Sequence, residues 1–274
     1  HRLIRRQRQM CIRDRVVGLK NYSGRIFPSP YPPENILTLL TRGLTTRGEE
    51  LSSEMAEAYI IALDVCIGML NVNFAVFSSS YRIQGKLLEH GLREIAEKYG
   101  RRLFVEEQGM SGDEGRRILN EFKSCPAKGE LGILCGVAGG RFAEGADLPR
   151  RELEAIFLVG VPFERPTVKT QLYIDYYSKI YGEEKGRHYA YVLPALKRAS
   201  QALGRALRSK EDKAVFIFVD ERYLRDLGIL PDYVQKTVRK ISGSPDGIRR
   251  ALSKLSPIPI EEGKSSYQPR NPTA

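Results

Sequence analysis

The chain has 274 residues, 42% of them hydrophobic and 28% charged, with four cysteines and no tryptophan. This composition excludes a collagen, a wholly disordered chain and a disulfide-stapled miniprotein, and no apolar run reaches the roughly 18 residues of a membrane-spanning helix. A net charge of +11 favours a polyanionic partner, but +5 of it falls in residues 1–15, whose six arginines face one aspartate.

Those first residues, HRLIRRQRQMCIRDR, show no amphipathic stripe, helix cap or turn chemistry. They resemble the conceptual translation of a sequencing adapter; the alternative is a disordered basic arm that binds nucleic acid. On the first reading the natural protein begins further upstream, and no function is assigned to these arginines. From residue 16 the pattern alternates. PSPYPP at 28–33 is a stiff, extended lead-in. Short runs rich in Val, Ile and Phe predict buried strands at 35–40, 73–78, 103–107, 131–137, 155–161 and 214–219. Helices are predicted at 49–70, 85–99, 113–123, 169–181 and 196–208, the second with Leu87, Leu88, Leu92, Ile95 and Ala96 on one face. The fold class is α/β: a parallel sheet with helices on both faces, spanning 16–242, followed by a tail at 243–274 that is Pro-rich and largely disordered at its end. Ligands in such sheets bind at the carboxyl ends of the strands.

Three segments carry candidate chemistry. In 200–208, Gln201, Arg205 and Arg208 are spaced by four and three residues and would share one helical face. Two guanidiniums and an amide there make a donor cluster suited to phosphate oxygens, against the alternative of a solvated basic face. Gly204 costs about 1 kcal/mol inside a helix, which suggests a close approach. Segment 136–149 follows a predicted strand; its glycines let backbone N–H groups approach a ligand, and Glu144 and Asp147 are candidate acceptors for a ribose, a water or an arginine. The alternative is a surface turn. Segment 76–82 leaves a strand and enters a helix, where hydroxyls and free N–H groups suit a phosphate; the alternative is plain N-capping by Ser80.

A phosphate-cradling G-x-x-x-x-G-K-[ST] loop does not occur: Gly263-Lys264-Ser265 has Ile258 where the first glycine belongs, and Gly85-Lys86 runs into Leu87. Cys11, Cys66, Cys125 and Cys135, with His1, His90 and His188, show no zinc or iron–sulfur spacing. Reduced thiols are expected.

Taken together and in order, the three segments resemble the second motor domain of the XPD-type helicases of superfamily 2. FAVFSSSY (74–81) is similar to motif IV of that family, GGRFAEGADLP (139–149) to motif V, and QALGRALR (201–208) with DKAVFIFVDERY (212–223) to motif VI and the strand after it. FPSPYPPEN and GLTTR resemble the start of the domain, and the likeness runs over about 16–240. The resemblance implies a RecA-like fold lacking its own P-loop, and ATP hydrolysis coupled to 5′→3′ movement on single-stranded DNA, with ATP between two such domains. It implies that Arg205 and Arg208 contact the triphosphate, one as arginine finger, with Gly204 beside them and Gln201 positioning them or the attacking water. Glu144, Gly145 and Asp147 would link the nucleotide to the DNA track, and Ser79, Ser80, Tyr81, Arg82 and Arg141 would meet the DNA.

In that family the phosphate loop, the Mg²⁺ carboxylates and a four-cysteine 4Fe-4S cluster belong to the first domain. No metal site is therefore expected in this chain, which alone would be inactive. Its partners would be single-stranded DNA and the N-terminal helicase domain of the same protein, without a membrane and as a monomer, in a prokaryotic (archaeal) cytoplasm or a eukaryotic nucleus. The rivals are a DinG-like helicase and, from another class, a non-catalytic nucleic-acid-binding module. Tyr173, Tyr176, Tyr177, Tyr181, Tyr189 and Tyr191 crowd one insertion among Lys179, Lys185 and Arg187, a pattern that suits base stacking or packing between elements. VPFERP at 161–166 reads as a rigid turn that walls the cleft or only redirects the chain.

Overall fold

A computed structural model describes residues 25, 27–48, 51–144, 148 and 150–260. Residues 1–15, Gly145, Asp147 and the end of the predicted tail lie outside the described residues. Seven strands, β1 (Ile36–Arg42), β2 (Phe74–Ser78), β3 (Arg102–Val105), β4 (Gly132–Val137), β5 (Ala155–Val159), β6 (Ala214–Val219) and β7 (Val238–Ser242), form one sheet in the order β3-β4-β2-β5-β6-β1-β7. Every pairing is parallel, so each connection crosses over and the loops collect at the two sheet ends. The helices are α1 (Ser53–Met69), α2 (Tyr81–Leu87), α3 (Arg93–Lys98), α4 (Gly112–Ser124), α5 (Arg141–Glu144), α6 (Val168–Tyr181), α7 (Glu183–Arg187), α8 (Leu193–Leu203), α9 (Tyr223–Asp226), α10 (Asp232–Thr237) and α11 (Pro245–Leu255).

Alternate strand residues feed two cores. Ile156, Leu158, Phe216 and Phe218 face Phe122 of α4, Phe142 of α5 and Leu196, Ala199 and Leu203 of α8. Phe157, Val159, Ile217 and Val219 meet Tyr59, Leu63 and Ile67 of α1, Leu87 of α2, Ile95 of α3 and Leu252 of α11. Burial on both faces is why β2, β5 and β6 read as unbroken apolar runs. The α/β reading and the six expected strands hold.

Outside the arginine segment, β7, α11 and the helix over 85–99 differ from expectation. β7 has the sequence VRKIS, with Arg239 and Lys240 exposed; it pairs only with β1, and a charged edge strand carries no apolar run to find. Inside the predicted tail, α11 is capped by Ser244, whose hydroxyl accepts the Gly247 amide, and it buries Ile248, Ala251 and Leu252. The helix expected over 85–99 begins at Tyr81, and a π-helical stretch, Leu88–Leu92, separates α2 from α3. There Gly91 takes φ 132°, and a Cβ on it would lie 3.3 Å from Ile60.

Gly91→Ala is therefore expected to destabilise the domain by about 1–3 kcal/mol, measured by chemical denaturation; unchanged stability would show that the kink does not need glycine.

Candidate functional site

At the end of β3 stands Glu106, a buried carboxylate. Its Oε1 accepts the Tyr81 hydroxyl at 2.8 Å and the Arg141 amide at 2.7 Å, and its Oε2 accepts the Val137 and Phe142 amides at 3.4 Å each. The Gly-rich segment after β4 closes over this carboxylate. A Cβ on Gly136 would lie 2.7 Å from Oε2, and one on Gly140 would overlap the carboxylate outright. These glycines thus make room for Glu106, and the amides of Arg141 and Phe142 are already taken by it. The expectation that the segment offers its amides to a ligand is corrected at those two positions. Glu144, exposed, donates its amide to Gly140 O at 2.9 Å.

Next along the sheet, the end of β2 enters α2. The Ser80 hydroxyl accepts the Ile83 amide at 3.3 Å, so Ser80 is the N-cap. Burial and the hydrogen bond to Glu106 push the Tyr81 phenol up to about 12. Arg82 and Arg141 are exposed. After β5, Gly160 has φ 77°, and a Cβ on it would sit 2.5 Å from the Thr46 hydroxyl and 2.7 Å from that of Ser79. After β6, buried Asp220 accepts the Thr46 amide at 2.9 Å and the Arg222 Nε at 2.8 Å, with Arg222 Nη2 at 2.7 Å. Burial opposes the Arg222 charge, but hydrogen bonding to Asp220 outweighs it and holds the guanidinium pKa above its ordinary value.

The arginine segment departs from its expected form. α8 ends at Leu203 with Gly204 as C-cap, so Arg205 and Arg208 lie on the turn after the helix and Gln201 on its last turn, exposed. The three do not share a helical face: the helix ends at Gly204, which keeps φ −60°, and a Cβ on it would meet its nearest neighbour at an ordinary 3.4 Å, so the close approach expected of this glycine is not found. This turn also precedes β6, so it enters that strand at its amino end, where Asn35 donates to Lys210 O at 3.0 Å and Tyr31 to Leu207 O at 3.1 Å. Buried Asp212 fixes the turn, accepting the Arg208 amide at 2.6 Å and the Ser209 amide at 2.7 Å. Half-buried Arg205 donates Nε to Ala143 O of α5 at 2.5 Å. The structure thus joins the arginine turn to the helix of the Gly-rich segment, and joins Tyr81 to that helix through Glu106.

Glu106, Asp212, Asp220 and Thr46 were not among the candidates. Glu106 and Asp220 directly follow β3 and β6, at the carboxyl ends of the strands, a position that could have flagged them. In the tyrosine insertion, Tyr173 and Tyr176 on α6 are exposed, while Tyr177 stacks on Tyr181 at 6.0 Å. Phe163 of the VPFERP turn stacks on Tyr191 at 4.8 Å and lies under Arg222, so this turn packs the β5 end against β6. Cys66, Cys125 and Cys135 are free and buried. Among the described residues no group of three or more His, Cys, Asp or Glu could hold a metal ion, and no helix is long and apolar enough to cross a membrane.

The fold is a RecA-like parallel sheet in which a Gly-rich strand-end segment is tied to an arginine turn. The family model described as the helicase C-terminal domain matches residues 67–237, and the chain belongs to that family. It is 26% identical over 232 residues to a probable ATP-dependent helicase of Methanocaldococcus jannaschii, covering 78% of this chain and 34% of that protein. It is 30% identical over 135 residues to the general transcription and DNA repair factor IIH helicase subunit XPD of Arabidopsis thaliana, covering 49% of this chain and 17% of that one. The chain thus spans about a third or less of these relatives. A solved XPD helicase structure superposes with a TM-score of 0.57 over 76% of this chain and 35% of that chain, at 19% identity, a likeness of fold.

Gly140→Ala is expected to force the Glu106 carboxylate out of its seat and cost about 1–3 kcal/mol, seen as a lowered denaturation midpoint. A midpoint equal to that of the parent would mean that the segment yields freely.

Proposed function

We propose that this chain is the C-terminal motor half of an ATP-dependent DNA helicase of XPD type that moves 5′→3′ on single-stranded DNA. In this reading ATP and Mg²⁺ are held mainly by a first helicase domain outside this chain, which also carries any 4Fe-4S cluster, and this half alone does not hydrolyse ATP. Arg205 and Arg208 reach the triphosphate across the interface, where a guanidinium stabilises the charge that develops on the transferring phosphoryl group. Gln201, on the last turn of α8, orients the attacking water or the arginines. Gly204 is the C-cap beside the arginines at the nucleotide, and Glu144, Gly145 and Asp147 pass the nucleotide state toward the DNA.

Ser79, Ser80, Tyr81, Arg82 and Arg141 form the DNA contact. The hydroxyls of Ser80 and Tyr81 are engaged within the fold, so their contribution comes from backbone amides and the tyrosine ring, with the two exposed guanidiniums on phosphates. The observation that carries the reading is the 2.5 Å bond from Arg205 to the carbonyl of Ala143, which sets an arginine turn against the Gly-rich segment in a domain of the helicase family.

In the full-length enzyme, Arg205→Ala is expected to lower DNA-stimulated ATP hydrolysis by about 10³-fold or more; turnover near that of the parent would remove the arginine-finger role. For the DNA contact, affinity of the chain for fluorescent oligothymidine is expected to fall steeply with salt, with a log–log slope of about −0.7 per phosphate contacted. Binding indifferent to salt would exclude a phosphate track.

A further inference from the structure

Glu106 lies where two pieces of the proposed machinery meet, and it belongs to neither. α2 is tied to it twice: the Tyr81 hydroxyl donates to the carboxylate at 2.8 Å, and the buried Gln84 side chain donates to the Glu106 carbonyl at 2.7 Å. α5 is tied to the same carboxylate through the amides of Arg141 and Phe142. The far end of α5 accepts Arg205 at the Ala143 carbonyl. Glu106 is itself anchored, its amide donating to Cys135 O of β4 at 2.8 Å.

We propose that Glu106 is a positioning residue that couples the DNA-contacting face of α2 to the arginine turn, through α5. The inference rests on the helicase reading above. Oε1 is shared by the Tyr81 hydroxyl and the Arg141 amide, so what happens to one donor is felt by the other. DNA that draws the Tyr81 ring away takes one donor from Oε1. The carboxylate then turns toward its amide donors and shifts the start of α5. Because α5 is only four residues long, its start and its Ala143 carbonyl move together, and Arg205 follows. Engagement of DNA thereby changes the reach of the arginine toward the nucleotide. The coupling runs through atoms in hydrogen-bond contact, with no intervening loop.

The test is a double-mutant cycle in the full-length enzyme, with ATP hydrolysis followed against oligothymidine concentration. Glu106→Gln keeps the shape but replaces one acceptor oxygen by an NH₂ group. It is expected to lower the maximal DNA-stimulated rate about 5-fold or more, while the oligothymidine concentration for half-stimulation stays within about 2-fold. Tyr81→Phe removes only the donor, as DNA is proposed to do, and is expected to raise the DNA-free rate toward the stimulated one. The double variant is expected to be no slower than Glu106→Gln alone, since both changes break one link. A double variant that keeps the raised DNA-free rate of Tyr81→Phe, or a Glu106→Gln enzyme with the parental maximal rate, would overturn the coupling. So would a shift confined to half-stimulation, which marks a binding role. Should Glu106→Gln fail to melt cooperatively, Tyr81→Phe decides alone: a raised DNA-free rate supports the coupling and a parental DNA-free rate ends it. A parent enzyme whose hydrolysis ignores oligothymidine would overturn the helicase reading itself, a result distinct from all of these.

Discussion

A parallel sheet buried on both faces satisfies its strands through the ladder and leaves the polar groups of its loops to find partners at the two ends. In this domain buried carboxylates take much of that part. Glu106 collects four donors after β3, Asp220 gathers Thr46 and Arg222 after β6, and Asp212 holds the turn that leads into β6. Removing a carboxylate from water costs several kcal/mol. Hydrogen bonds to a charged acceptor return about 1.5–3 kcal/mol each, so a buried carboxylate with a single donor would be a net loss, and one with four is sustainable. The loops are held because the carboxylates cannot be left underbonded.

The carboxylates differ in where their partners come from. Asp220 draws on Arg222, two residues away, and so carries its counter-charge with it wherever the loop goes. Asp212 caps amides three and four residues before it. Glu106 has no such local supply: Tyr81 is 25 residues distant in sequence, and Arg141 and Phe142 are 35 and 36. Its satisfaction depends on α2, β4 and α5 all being in place. The β6 end is therefore locally self-sufficient, while the β3 end registers the arrangement of three separate elements.

This difference also explains what the sequence discloses. β2, β5 and β6 stand out because double burial demands consecutive apolar residues, and their ends are accurate to two residues or fewer. β7 is hidden because an edge strand buries little, and α11 because Ser244-Pro245-Asp246-Gly247 looks like a turn when it is a cap and a first helical turn. The extent of α8 is misjudged because the spacing of Gln201, Arg205 and Arg208 suits a helix as well as a turn, although Gly204 is a residue type common at helix ends. Local signals disclose Ser79 to Arg82, the Gly-rich segment and the arginines. They do not disclose Glu106, because a glutamate after a strand gains meaning only once its distant donors are known.

The weakest element of the site is also its most connected. A helix of four residues, as α5 is, has scarcely completed the turn whose nucleation is unfavourable, and it has no propagation to compensate. Its position must be dictated from outside. The Glu106 carboxylate takes the amides at its start, Phe142 and Ala143 are buried in the core, and Arg205 takes the carbonyl of Ala143 near its end. A longer helix would average such contacts over many turns and resist any one of them. A four-residue helix cannot, so its geometry follows whichever end contact changes. Rigid strands on either side and a short, externally held helix between them are what a domain needs if a change at one surface is to be felt at another without unfolding the core.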